Sequence, residues 1–292
     1  MRNNMEARKV LILGAKGMLG QELTRVYRED EGYDVTAWDV EDIDVTDFAS
    51  AEGKIRAVGP SLIINAVAYN AVDLCEESDE EYRKAMKLNA DVPGFLARIA
   101  KDMDATLIHY STDYVFDGEK DGGYDEDAVP NPISKYGMSK RDGEKRVIAE
   151  DGKYYLIRLS KLFGKPAASV TAKKSFFEKM LEVAKGKAEV MAVDDEKSCF
   201  TYAPDLALAS KVLEMYAKPY GIYHLVNEGA ATWYEAAQEL FRIAGMDIVV
   251  KPVSADAFPR PAKRPHASVL RNTKFIGFRP YTEALQEFLE HR

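Results

Sequence analysis

Apolar and polar positions alternate along this chain in two distinct ways. Short, unbroken apolar runs end in glycine, asparagine or hydroxyl residues, and each is followed by a longer stretch of helical periodicity. Val10-Leu11-Ile12-Leu13, ending at Gly14, reads as a strand buried on both faces of a parallel sheet. Gln21 to Arg28 then looks helical. A second short strand spans Asp34 to Val40. A helix entered near Asp44-Val45-Thr46-Asp47, with Thr46 or Asp47 as cap, runs to about Val58 before Gly59-Pro60 ends it. Leu62 to Ala68 is another buried strand, and a long polar helix follows from about Asp79 to Lys101, with Asn89 on its surface. Thr106 to Thr112 is a strand that ends in hydroxyls. Tyr154 to Leu159 and Gly221 to Val226 are further strands, the latter most simply added to the same sheet.

Strands alternating with helices in this order predict an α/β fold with a Rossmann-like, doubly wound parallel sheet. After Leu159 the pattern is less regular. A helix from Pro204 to Tyr216, one from Thr232 to Ala244 with Trp233 as anchor, and a last one over about Thr282 to Glu290 are expected. The expected division is a dinucleotide-binding domain, 1–160 plus about 194–227, and a smaller α/β substrate-binding domain, about 161–193 plus 228–292.

The first strand leads into Gly14-Ala15-Lys16-Gly17-Met18-Leu19-Gly20. Glycines at 14, 17 and 20 permit a tight turn, close approach of backbone to a pyrophosphate, and close packing of the next helix. The free N–H groups of that helix then face the phosphates. Asp39, nineteen residues after Gly20, ends the second strand, where a carboxylate accepts hydrogen bonds from ribose hydroxyls. That favours NADH, while Lys16 nearby leaves NADPH open.

Tyr136 and Lys140 are four residues apart behind Ser134, which is placed to cap their helix. On one helix face they lie about 5 to 6 Å apart at Cβ, so the ammonium can lower the phenol pKa and tune it for proton exchange with a carbonyl oxygen. Of 16 tyrosines, Tyr136 alone has Lys at +4.

Composition narrows the partners. Across 292 residues the chain is 46% hydrophobic and 30% charged, enough for a well-buried core. A net charge of -8 without Lys/Arg runs longer than two argues against a nucleic-acid partner. Cys75 and Cys199 form no CxxC, which fits a reducing cytoplasm, and four histidines without HxH or HxxxH spacing predict no histidine metal site. The polar Met1 to Lys9 start and the brevity of the apolar runs predict neither signal peptide nor membrane span. His224 reads as a core histidine rather than a catalytic one.

The motifs GAKGMLG at 14 to 20, NAVAYNAVDLCE at 65 to 76, STDYVFDG at 111 to 118, PNPISKYGMSKRDGE at 130 to 144 and RPAKRPHASVL at 260 to 270 resemble the extended short-chain dehydrogenase/reductase family, and within it the dTDP-4-dehydrorhamnose reductases. The resemblance implies reduction of the C4 keto group of a nucleotide-diphospho-4-keto-6-deoxy sugar by NADPH or NADH. Tyr136 would donate the proton, Lys140 would hold the nicotinamide ribose, and Thr112 would bond the keto oxygen. Gly14, Gly17 and Gly20, with the Met18 and Leu19 backbone, would wrap the pyrophosphate. Asp39, Asp44 and Val45 would face adenosine, and Ala66, Ala68 and Tyr69 the ribose and nicotinamide. Asp113, Tyr114, Arg260, Arg264 and Ser268 would contact substrate. Related reductases can dimerise and some carry Mg²⁺, for which no ligands can be assigned here.

Two places depart from the family. Arg158-Leu159-Ser160-Lys161 stands where the family has a pattern like RTSW, so Lys161 replaces an indole and either serves a diphosphate or a different sugar or points to water. Asp195 to Thr201 lacks the Gly and Pro of a DQxGxPT-like pattern. These departures keep two alternatives open: the same chemistry on another nucleotide sugar, or a dinucleotide-binding regulatory module like the reductase-like subunit of methionine adenosyltransferase.

Overall fold

A computed structural model describes residues 7–168, 174–275 and 277–291. Most of the polar start, Met1 to Glu6, lies outside the described residues. Six strands form one sheet, in the spatial order Gly221–His224, Lys153–Leu159, Thr106–Thr112, Leu62–Asn65, Arg8–Leu13, Tyr33–Trp38. Every pairing in it is parallel. The central runs are apolar on both faces because both are covered. Leu11, Leu13, Ile63 and Leu107 pack with the helices Phe48–Val58 and Val92–Asp102 on one side, while Val10, Ile12, Ile64 and Ile108 pack with Met18–Arg28 and Ala203–Met215 on the other.

A second core gathers Phe163, Phe177, Phe200, Tyr202, Leu240, Tyr281 and Phe288. It includes a parallel pair, Glu189–Val193 with Val249–Val253, which the irregular pattern after Leu159 did not disclose. Phe200 and Tyr202 sit in this core although the expected division assigns them to the nucleotide side. The pair Lys197–Cys199 with Ala230–Thr232 likewise crosses that boundary.

Some predicted elements end differently. The second strand stops at Trp38 and the third at Asn65, so Asp39 and Ala66 to Tyr69 lie in the irregular segments at the strands' C-terminal ends. Asp47, rather than Thr46, caps its helix by accepting from the Ser50 N–H.

The expected long helix from Asp79 is present and holds a π-helical turn. It comprises Asp79–Met86, a π-helical turn Lys87–Asp91, and Val92–Asp102. Asn89 lies in the π turn and is fully buried, so the surface role expected for it is incorrect. Its side chain accepts from the Tyr69 N–H at 2.8 Å and donates to Tyr69 O and Ser139 Oγ, each at 3.0 Å. Asn89 thereby fastens the loop after the third strand to the helix that bears Tyr136. Asn89→Ala should lower unfolding free energy by about 2 to 4 kcal/mol, since buried partners lose their bonds. Denaturant titration would measure it, and a loss under about 0.5 kcal/mol would contradict this placement.

His224 is buried, as a core residue, and its Nδ1 bonds Arg271 O at 3.1 Å. Burial and the neighbouring Arg158 guanidinium hold its pKa down. Arg158 itself is clasped by both oxygens of buried Glu144, at 2.9 and 2.7 Å.

Candidate active site

The glycine-rich turn sits where the first strand meets the helix Met18–Arg28. Gly14 has φ +79°, and a Cβ there would stand 3.0 Å from the Ala66 carbonyl carbon. At Gly20 a Cβ would come within 2.0 Å of Gly14 O. Gly17 caps the helix without a side-chain bond, leaving first-turn N–H groups available to an anion. This side-chain-free cradle fits a dinucleotide pyrophosphate.

Asp39 turns its carboxylate onto that loop: Oδ2 accepts from the Lys16 N–H at 2.7 Å and Oδ1 from the Val40 N–H at 2.8 Å. Lys16 Nζ pairs with Glu41 at 2.8 Å. Asp44 accepts from the Thr46 N–H and hydroxyl, which hold its carboxyl below the usual range. Val45 is buried among the apolar residues of the sheet's covered face.

Ser134 caps the helix Lys135–Ala149 by accepting from the Gly137 N–H at 3.1 Å. The helix packs closely on two neighbours: a Cβ on Gly137 would lie 2.2 Å from Tyr114 O, in the turn after the strand Thr106–Thr112, and one on Gly143 2.0 Å from Asn89 O. Tyr136 and Lys140 are both buried. The Tyr136 hydroxyl lies 3.4 Å from Asn70 Oδ1, and its ring packs edge-on against Tyr114 with centroids 5.7 Å apart. Lys140 Nζ donates to Tyr110 O at 2.6 Å.

The expected tuning of the phenol runs the other way in this arrangement. Burial, followed by the charge of Asp113, pushes the Tyr136 pKa up, while the Thr112 hydroxyl pulls it down. Burial brings Lys140 down to about 8, with Glu144 opposing.

Thr112 ends its strand and donates to Asp113 Oδ1 at 3.0 Å. Asp113 is a buried carboxylate that also accepts from Ser160 Oγ at 2.8 Å and Ser268 Oγ at 2.6 Å. Burial raises its pKa, opposed by Ser268, Ser160, Lys161 and Thr112. Ser268, 155 residues away in sequence, thus joins the same cluster as Thr112.

Arg264 makes a two-pronged pair with Asp73 at 2.6 and 2.7 Å, and Arg260 pairs with Glu196. Both guanidinium groups therefore already hold carboxylates that sequence spacing did not reveal. The Trp233 indole N–H donates to Glu196 at 2.9 Å, which ties the second core to the same cluster. Of the readings open for Lys161, pointing to water is excluded: its Nζ is enclosed and lies 3.6 Å from the centroid of the Trp233 ring. Tyr69 donates through its hydroxyl to Glu81 and belongs to the apolar cluster around Tyr136.

The RmlD substrate binding domain model matches residues 8–292. The chain belongs to this family. The spore coat polysaccharide biosynthesis protein SpsK of Bacillus subtilis is 34% identical over 288 residues, 97% of this chain and 98% of that protein. The crystal structure of a dTDP-4-dehydrorhamnose reductase from Clostridium acetobutylicum superposes with TM-score 0.90 at 36% identity, covering 97% of this chain and 99% of the other. A Bacillus anthracis dTDP-4-dehydrorhamnose reductase, crystallised in complex with NADP, superposes with TM-score 0.89 at 32% identity, covering 98% and 100%. Among the described residues, no group of three or more His, Cys, Asp or Glu side chains is placed to hold a metal ion. No helix among them is long and apolar enough to cross a membrane.

Proposed function

We propose that this chain reduces the C4 keto group of a nucleotide-diphospho-4-keto-6-deoxy sugar, taking dTDP-4-dehydrorhamnose to dTDP-L-rhamnose with NADPH or NADH. The observation that carries this reading is the convergence of Thr112, Tyr136 and Lys140 at the buried sheet edge beside a glycine cradle. Gly14, Gly17, Gly20 and the Met18 and Leu19 backbone hold the pyrophosphate. Asp39, Asp44 and Val45 border adenosine, and Ala66, Ala68 and Tyr69 border the nicotinamide ribose. When bound, the reduced nicotinamide supplies a hydride to C4 of the sugar.

The chain's own residues manage the oxygen. A phenol raised by burial is fully protonated at neutral pH, so Tyr136 enters the reaction as an acid and gives its proton to the C4 oxygen. Thr112 donates a second hydrogen bond to that oxygen, while the Lys140 ammonium steadies the phenolate that remains. At rest the single Thr112 O–H donates to Asp113 Oδ1 at 3.0 Å, so the hydroxyl turns from that carboxylate to the C4 oxygen when substrate is bound. Arg260 and Arg264 border the diphosphate, each guanidinium aimed by its carboxylate partner. In this reading the sugar lies between the sheet edge and the second core.

A regulatory module has no chemical need for a buried acid, hydroxyl and ammonium at one point, so the catalytic reading is preferred. Oxidation of NADPH and NADH in the presence of a panel of nucleotide-linked 4-keto-6-deoxy sugars tests it. The dTDP-4-dehydrorhamnose reaction should be the fastest, and no oxidation with any of them would remove the proposal.

The pH profile follows from Lys140. Its ammonium is present below about 8 and lost above, so kcat/KM for reduction should be level near neutrality and fall as pH rises through about 8. A profile that instead rises across that interval would contradict a charged Lys140.

A further inference from the structure

Lys161 follows the strand Lys153–Leu159 by one residue and adopts φ +39°, a region lysine rarely occupies. Its stem is partly exposed, yet its Nζ is enclosed and has no hydrogen-bond partner. The ammonium rests on aromatic faces, 3.6 Å from the centroid of Trp233 and 5.0 Å from that of Phe200. Around it stand Asp113, Glu196, Cys199 and Arg260, and burial outweighs the two carboxylates in lowering its pKa to about 7.

The other cations here have acceptors. Lys140 holds Tyr110 O, Arg260 holds Glu196 and Arg264 holds Asp73. A buried ammonium without an oxygen acceptor is costly, and the left-handed backbone at Lys161 adds strain beside it. Whatever completes Lys161 must bring an oxygen acceptor. A carboxylate or phosphate placed there would face Asp113 and Glu196 as like charges. A hydroxyl meets no such penalty, because it accepts from the ammonium and can donate to either carboxylate.

We propose that Lys161 is a specificity-determining residue that donates to a ring hydroxyl of the sugar, so that this site selects a hydroxylated ring over a deoxygenated one. The inference rests on the reductase reading above and names the group by which the ring is recognised. Trp233 and Glu196 complete the subsite: the indole shelters the ammonium, and Glu196 fixes the indole through its N–H.

The test is steady-state kinetics of wild type, Lys161→Met and Lys161→Gln on dTDP-linked 4-keto-6-deoxy sugars with both the C2 and C3 hydroxyls, and on their 2-deoxy and 3-deoxy counterparts. Met keeps the stem's length and packs well on an indole, whereas Gln retains a donor. Wild type should prefer the fully hydroxylated sugar over one deoxy analogue by roughly 10- to 100-fold in kcat/KM. Lys161→Met should lose that preference through a raised KM for the hydroxylated sugar, with kcat within about threefold of wild type. Lys161→Gln should recover part of the preference, and inhibition by dTDP alone should not change in either variant. A wild type without preference, or variants that keep it in full, would overturn the assignment while leaving the reductase reading in place. Failure of wild type to turn over any of these sugars would overturn both.

Discussion

Tyr136→Phe should lower kcat for reduction by roughly 100- to 10,000-fold while leaving cofactor affinity nearly unchanged. The substitution removes one oxygen from a buried ring whose other contacts, the edge-on packing against Tyr114 and the apolar cluster with Cys75 and Ala85, stay intact. Stability should therefore change little, because the hydroxyl's contact with Asn70 is a long 3.4 Å. Binding of the dinucleotide rests on the glycine cradle and Lys140, which the change does not touch. Fluorescence titration of NADPH and stopped-flow turnover would separate the two effects. A variant with wild-type kcat would show that the proton comes from elsewhere.

Gly20→Ala should be the most damaging single methyl group in the nucleotide half. The added carbon would stand 2.0 Å from Gly14 O, 2.8 Å from Gly14 C and 2.9 Å from Ala15 Cα. All three are backbone atoms, so no flexible side chain can move aside, and the helix Met18–Arg28 must shift away from the loop. We expect a loss of about 3 kcal/mol in unfolding free energy and a dinucleotide Kd raised at least tenfold, roughly 1.4 kcal/mol. Gly53→Ala provides the contrast. Gly53 lies within the helix Phe48–Val58 and a Cβ there meets nothing within 4 Å, so that change should stabilise by about 0.4 to 1 kcal/mol. Equal responses at the two positions would refute the close-approach argument.

The sequence disclosed those parts of the molecule in which local chemistry and global position agree. The runs Val10 to Leu13 and Leu62 to Ile64 are legible because strand centres covered on both faces are apolar. Ser134 is legible as a cap because its hydroxyl serves an N–H three residues on, and Tyr136 and Lys140 share a face by helical spacing alone. Asn89 was not legible. It is buried where Gly143, far along the chain, brings another helix close to its backbone, and polar composition does not signal that contact.

The charge partners were hidden for the same reason. Asp73 and Arg264 are 191 residues apart, and Glu196 and Arg260 are 64 apart, so spacing carries no trace of either pair. The parallel pair Glu189–Val193 and Val249–Val253 was missed because Lys251 and Pro252 interrupt the second strand, and proline argues against a strand reading. Lys161 was legible as a departure from the family pattern, but its enclosure over Trp233 belongs to the packed second core.

The central claim is that Thr112, Tyr136 and Lys140 assemble around a keto oxygen at C4 of the sugar, with hydride arriving from a nicotinamide held by the glycine cradle. The most direct measurement is isotopic. The protein is incubated with dTDP-4-dehydrorhamnose and NADPH deuterated at the transferring position, and the product is analysed by NMR. We expect one deuterium on C4 of the product sugar, in an amount equal to the cofactor oxidised. Product without deuterium at C4, or deuterium at another carbon, would contradict the account.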